Sequence, residues 1–294
     1  MIIDCHYHLD TEMVPLANLV QSMDQHGIDR MALIARLQPP LADSFLLTGI
    51  IAPLLKSIIH NEKHPLIGIA RKGYGDVVRP GGVVSLAGRS YRLFPQPDNE
   101  AVSKACAQYP GRFYGWITIN PKGGSDPVAE VQRWVRSPGM IGVKAHPYWY
   151  DFPVSMLVDA AGLCQENNKP MIIHLGLEAN GDFRLLPEKF PRLKVIYCHA
   201  GVPYPNPVCA YAREKKNVFV DLSSSGYVNA RAALKAVNAA GADKCLFGSD
   251  GPYYHCRANM FDFGFFKEMI ESLGLSESDR RKIYSENFLR IIEA

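Results

Sequence analysis

The seven cysteines of this 294-residue chain form no CxxC pair and stand singly at positions 5, 106, 164, 198, 209, 245 and 256. That scatter excludes a thiolate zinc knuckle and a disulfide framework, and leaves the expectation of reduced, buried small hydrophobes. No stretch reaches the roughly 18 apolar residues of a membrane span. Residues 1–20 also lack the basic start and apolar core of a secretory leader. An excess of charge is missing too: 32 Lys+Arg against 29 Asp+Glu leave a net charge of +3, too weak a field for nucleic acid or an acidic membrane. No GxGxxG follows the first apolar run, so a dinucleotide-binding sheet lacks its signature. The expectation is a cytoplasmic globular chain with neither nucleic acid nor membrane as partner. With 47% hydrophobic residues it can bury one large core or two modest ones.

What is present is a repeat of β-rich runs followed by helical spacing. MIIDCH at the start, RMALIAR (30–36), RFYGWITI (112–119), MIGVKAH (140–146), PMIIHL (170–175), LKVIYCH (193–199), NVFVDLS (217–223) and KCLFGSD (244–250) read as eight strands. Between them DPVAEVQRWVRS, PVSMLVDAAGLCQENN, NPVCAYAREK and NARAALKAVNAAG carry helical periodicity, several opened by Asp, Asn or Pro and closed by Gly or Asn. The connection 176–192 is less regular. Eight such units are the count of a parallel (β/α)8 TIM barrel. Residues 1–294 therefore read as a single domain with an oversized insertion, 39–97, after strand 2. The insertion contains a helical pattern (LLTGIIAPLLKSIIHNE) and a Gly-rich hairpin-like segment (GGVVSLAGRSYRL); a connection of this length usually forms a lid. At the end, Ser276 and Asp279 make a capping-box pattern, and Tyr284, Phe288 and Ile291 share one helix face that should close the outer layer.

Two histidines stand one residue apart in IDCHYHLD. Side chains alternate along a strand, so His6 and His8 project to one face, with Cys5 and Tyr7 on the other. In a barrel that face is the interior, and the C-terminal strand ends carry the site. Three further apolar strands end in a ligand-type residue: His174 in MIIH, His199 in VIYCH and Asp250 in LFGSD. A parallel strand buried on both faces should read as Val, Ile and Leu, and an unpaired imidazole or carboxylate there costs several kcal/mol. Repetition of the same violation at one end of one barrel points to a shared metal ion. Imidazole nitrogen plus carboxylate oxygen suits zinc with an open position for water.

The series IDCHYHLD, GVKAHP, IIHLG, VIYCHAG, LFGSDGP and SENFLRII resembles the amidohydrolase superfamily, in particular the amidohydrolase-2 branch with aminocarboxymuconate-semialdehyde decarboxylase and several lactonases. The resemblance covers the chain apart from 39–97. It implies that His6, His8, His174 and Asp250 bind one divalent ion, usually zinc, and that His199 acts as acid/base beside the bound water, with Asp250 sharing the proton work. It also extends a homo-oligomeric habit to this chain. The opening is similar to TatD-type nucleases as well, but MIGVKAHPY lacks the carboxylate those barrels carry on strand 4, and the charge is wrong for nucleic acid. Lys144 occupies that strand with His146. Its spacing places it deeper than a metal-bridging lysine, either unmodified or paired with a buried acid.

A metal-bound hydroxide leads to hydrolysis of a small cyclic or carboxylated compound, such as a lactone or amide. The same ligands would also serve a non-oxidative decarboxylase of an aromatic or muconate-like acid, or a barrel that holds its metal without turnover. Substrate contacts are expected from His146, Tyr148, Trp149, Tyr253 and His255, all on loops after strands 4 and 8; Tyr150, Tyr204 and Tyr254 lie in similar loops. Aromatic walls suit a ring. Arg71, Lys72, Arg79, Arg89 and Arg92 in the insertion could clamp a carboxylate, and Ser223, Ser224 and Ser225 could donate hydrogen bonds, although basic loops and turn serines are common for local reasons.

Overall fold

The computed structural model describes residues 1–39, 58–61, 63–79, 81–86, 89–253 and 255–293. Eight parallel strands follow one another around the sheet: β1 (Ile3–Leu9), β2 (Arg30–Ala35), β6 (Phe113–Ile119), β7 (Met140–Ala145), β8 (Met171–Ile173), β9 (Val195–Tyr197), β10 (Val218–Asp221) and β11 (Cys245–Leu246). All eight expected strands are there. The barrel closes where Cys5 N donates to Phe247 O (3.0 Å), Asp250 N to His6 O (2.7 Å) and His8 N to Gly251 O (2.8 Å), with Tyr7 bridging Gly251 in parallel.

The helices form where their start signals fall. Asp126 caps Pro127–Trp134 by accepting from Val128 N, and Asn229 caps Ala230–Ala240 through Ala232 N. Connection 176–192 contains only a short 3₁₀ turn, Glu178–Gly181, and the five-residue helix Leu185–Lys189. Within the insertion, the helix Ile67–Gly75 precedes an antiparallel sheet of β3 (Val78–Arg79), β4 (Val83–Leu86) and β5 (Arg89–Arg92). The expected hairpin is therefore present, while the helical pattern at 46–62 lies almost wholly outside the described residues. A second small pair, β12 (Cys256–Arg257) and β13 (Met260–Phe261), follows β11.

Two apolar layers result. The larger lies between strands and helices and includes Tyr7, Leu33, Val143, Ile173, Val195 and Val220. The smaller is the barrel interior, with Ala32, Ile34, Trp116, Ile172, Ile196, Phe219 and Leu246. Trp116 is fully buried and its indole N–H reaches Cys5 O at 3.0 Å. A side chain at position 142 would meet Pro170 O at 2.4 Å and the Trp116 ring at 2.6 Å, so only glycine leaves room for this packing.

Two sequence expectations change. Cys5 does not share the outer face with Tyr7: the register of β1 against β2 slips between Asp4 and Tyr7, one residue is extra, and Cys5 joins the inner cluster. The C-terminal segment does more than cover the outside. Ser276 accepts from Asp279 N as the capping pattern predicts, but Phe288 and Ile291 pack into the inner cluster, with Phe288 6.2 Å from Trp116.

Candidate metal centre

Above the Trp116 layer the inward positions turn polar. His6, His8, Lys144, His146, His174, His199 and Asp221 are all buried, and Asp250 lies beside them with its side chain 13% exposed. His6 Nε2 and His8 Nε2 approach the same carboxylate oxygen, Asp250 Oδ1, at 3.2 and 3.3 Å. Asp221 Oδ2 sits 2.9 Å from His6 Nδ1. A carboxylate can only accept, so Nδ1 carries a proton, which leaves Nε2 as the nitrogen available to a ligand. That is the tautomer a metal ligand needs.

Among the described residues two sets of ligand-type atoms lie within 4.8 Å of one another: His6, His8 and Asp250, and His6, Cys198 and His199. His174 belongs to neither set, though its Nδ1 is 3.2 Å from His199 Nε2. Among the described residues His8 Nδ1 is buried without a partner. Two imidazole nitrogens converging on one carboxylate oxygen form a donor set that fits a cation, which makes this a possible metal site.

The electrostatics agree at four of the five imidazoles. Burial holds His8 and His199 down to about 4, and burial likewise holds His174 and His146 well below the ordinary value. These imidazoles are neutral at neutral pH, as ligation requires. His6 is the exception: burial and Lys144 oppose a charge, yet Cys198, Asp221 and Asp250 together raise its pKa well above the usual range, so without an ion its ring is protonated and ligation would displace the Nε2 proton. Burial would raise Asp250, but the neighbouring His199 and His6, with hydrogen bonds from His6 and His8, hold it well below the carboxylate range.

His199 and Asp250 also share a backbone feature: both have positive φ, 55° and 62°. Non-glycine residues in that region carry about 1–3 kcal/mol of strain and gather at functional sites. His199 is pinned on three sides. Its N–H donates to Asp221 Oδ1 (2.8 Å), its Nδ1 meets Ser223 Oγ (2.9 Å), and its ring lies over Tyr227 at 4.9 Å.

The expected substrate contacts divide. His146 stacks between His174 (4.2 Å) and Trp149 (4.7 Å), and its Nδ1 accepts from Trp149 N at 3.0 Å. Tyr253 lies 5.4 Å from the His8 ring, its buried hydroxyl without a partner among the described residues. Tyr148 stacks on Tyr74 and its hydroxyl is committed to Tyr74 O at 2.5 Å. His255 makes its ring contacts elsewhere, packing on Phe265 and Phe266 at 4.7 and 5.3 Å. Tyr254 lies outside the described residues. Tyr150 donates to Phe94 O and Tyr204 accepts from Glu178 N, so both hydroxyls tie loops together. Arg71 reaches Pro203 O at 3.3 Å and covers the Tyr204 ring, whereas Lys72, Arg79 and Arg92 are exposed. Among the described residues no acid pairs with Lys144, whose Nζ contacts Cys198 Sγ (3.0 Å) and His6 Nε2 (3.4 Å).

Sequence reasoning passed over Asp221, Cys198 and Tyr74. The first was detectable by the rule that found Asp250, since NVFVDLS also places a carboxylate in an apolar strand.

Eight parallel strands closed into a barrel, with imidazoles and carboxylates at their C-terminal ends, define a (β/α)8 barrel enzyme. A family model described as amidohydrolase matches residues 80–292. The chain belongs to the amidohydrolase family. No curated protein matches its sequence at a significant level. Solved structures with similar folds include 2,6-dihydroxybenzoate decarboxylase from Rhizobium, with 16% identity and TM-score 0.57, covering 99% of this chain and 98% of that one. Dihydroxybenzoic acid decarboxylase from Polaromonas sp. JS666, with bound manganese and the inhibitor 2-nitroresorcinol, shares 18% identity at TM-score 0.58, covering 99% and 96%. A putative 2-pyrone-4,6-dicarboxylic acid hydrolase from Pseudomonas putida shares 17% identity at TM-score 0.61, covering 99% and 97%.

Proposed function

We propose that this chain is a hydrolase dependent on one divalent metal ion, held by His6, His8, His174 and Asp250, that opens a small cyclic or carboxylated compound such as a lactone or amide. The observation that carries this reading is the convergence of His6 Nε2 and His8 Nε2 on Asp250 Oδ1, with Asp221 fixing the His6 tautomer. A bound divalent ion polarises a carbonyl and lowers the pKa of a coordinated water. His199 is the proton acceptor. Burial keeps it neutral, Ser223 Oγ orients its Nδ1, and its Nε2 stands 3.9 Å from Asp250 Oδ2, so the two can pass a proton from water to the leaving group. His146, Trp149 and Tyr253 supply flat apolar wall, and the unpartnered Tyr253 hydroxyl can donate to a substrate oxygen.

Non-oxidative decarboxylation of an aromatic acid is the second reading, favoured by the rings of Trp149, Tyr227 and Tyr253 around the imidazoles. There the same proton pair would deliver a proton to the ring carbon. Imidazole and carboxylate donors suit zinc, while the Polaromonas enzyme holds manganese, so both ions belong in the assay. The metal-loaded protein is to be offered lactones, including pyrone carboxylates, and hydroxybenzoates. Acid release from a lactone supports the first reading. Carbon dioxide release without lactone or amide cleavage overturns it in favour of the second.

The seven cysteines are free, and among the described residues no helix is long and apolar enough to cross a membrane. The free cysteines support a reducing compartment, the cytoplasm, with a small molecule as substrate and a single barrel domain as the working unit. A homo-oligomer is the expected assembly.

A further inference from the structure

The helix Ile67–Gly75 lies in the insertion, yet it reaches the metal centre. Ala70 and Tyr74, four apart, form its buried face and pack with Ile58, Ile59, Tyr148 and Val202 in a separate apolar cluster. The Tyr74 ring lies flat on Tyr148, centroids 3.9 Å apart and planes 9° apart, and meets Tyr227 edge-on at 6.1 Å. Tyr148 Oη donates to Tyr74 O, so the contact is fixed at ring and backbone. At the helix end the approach is close: a Cβ on Gly75 would lie 2.9 Å from the Leu177 side chain.

The Tyr74 hydroxyl, fixed in this way, stands 2.8 Å from His174 Nε2 and 3.4 Å from Leu175 O. The other nitrogen, Nδ1, points inward to His199 Nε2 at 3.2 Å, on the side where His199 faces Asp250. His174 is thus held at both ends of its ring. Building on the metal reading above, we infer that Tyr74 is a positioning residue contributed by the insertion: its hydroxyl accepts the Nε2 proton of His174, leaving the Nδ1 lone pair aimed into the centre. The hydroxyl then passes its own hydrogen toward Leu175 O, which completes a donor chain ending on a backbone carbonyl. A phenylalanine would keep the stacking and lose the acceptor. The insertion therefore contributes to the centre, because its seating sets the orientation of one ligand.

Partners of this kind change metal affinity by about 10–100-fold when removed. The test is chelator competition for Zn2+ and Mn2+ on the full chain, with the visible spectrum of the Co2+ form as an independent readout of the ligand field. Tyr74→Phe should weaken binding at least tenfold and shift the Co2+ spectrum, with thermal unfolding confirming that the variant folds. Tyr148→Phe, which removes the bond to the Tyr74 carbonyl and not the one to His174, should change affinity less than threefold. In a His174→Ala background, Tyr74→Phe should add no further loss. Equal affinity of wild type and Tyr74→Phe overturns the inference alone, as does an undiminished Tyr74→Phe effect in the His174→Ala background. A wild-type chain that takes up no ion overturns the metal reading, and this inference with it.

Discussion

Replacing Asp221 by Asn should separate the metal centre from the fold. One carboxylate oxygen, Oδ1, accepts from His199 N (2.8 Å), Ser223 N (3.0 Å) and Ser223 Oγ (2.5 Å); the other, Oδ2, accepts from His6 Nδ1 (2.9 Å). An asparagine can keep its carbonyl at the Oδ1 position and retain the three loop bonds. Its amide then faces His6 as a donor, so Nδ1 must become the acceptor and the ring proton moves to Nε2. That proton points at Asp250 and blocks the ligand lone pair. The expected loss in metal affinity is about 10–100-fold, or about 1.4–2.8 kcal/mol, while the urea midpoint of the metal-free protein moves little. Asp221→Ala behaves differently. It strands two backbone N–H groups, a hydroxyl and a buried imidazole, each costing about 1–3 kcal/mol when unsatisfied, so the apo protein itself should lose stability. Chelator competition paired with urea unfolding reads both effects. If Asp221→Asn binds metal as wild type does, the tautomer argument is wrong.

Other outcomes follow from packing and from the placement of His255. Trp116→Ala empties the centre of the barrel interior and should cost about 3–5 kcal/mol in urea unfolding. Gly142→Ala drives a methyl against Pro170 O and the Trp116 ring, so destabilisation of about 1–3 kcal/mol is expected from a single added carbon. His255→Phe should leave turnover unchanged, since that ring packs on Phe265 and Phe266. Burial lowers the His255 pKa in the fold, so the unfolded chain binds the proton more readily and stability falls as pH drops below the usual histidine value; His255→Phe should flatten that acid limb of the Tm profile.

The barrel was legible because most of its strands alternate with segments of helical spacing, and ligand-type residues in the apolar runs gather toward their C-terminal ends. His6, His8, His199 and Asp250 stood out for that reason. The bulge in β1 was not legible: Asp4–Tyr7 shows no local irregularity, and the extra residue arises from pairing with β2 and the 247–251 segment at once. Position in sequence does not reveal that the His255 ring packs on Phe265 and Phe266, which lie in a helix further along the chain. Tyr74 carried no signal at all, because its role depends on how an insertion helix docks on a barrel it does not belong to.

The central claim is tested most directly by metal titration of chelator-stripped protein, with X-ray absorption at the metal edge to identify the donors. The account predicts one Zn2+ or Mn2+ per chain in a shell of imidazole nitrogen and carboxylate oxygen, with binding lost in His8→Ala and Asp250→Ala. Absence of stoichiometric uptake, or uptake undiminished in both variants, would contradict it.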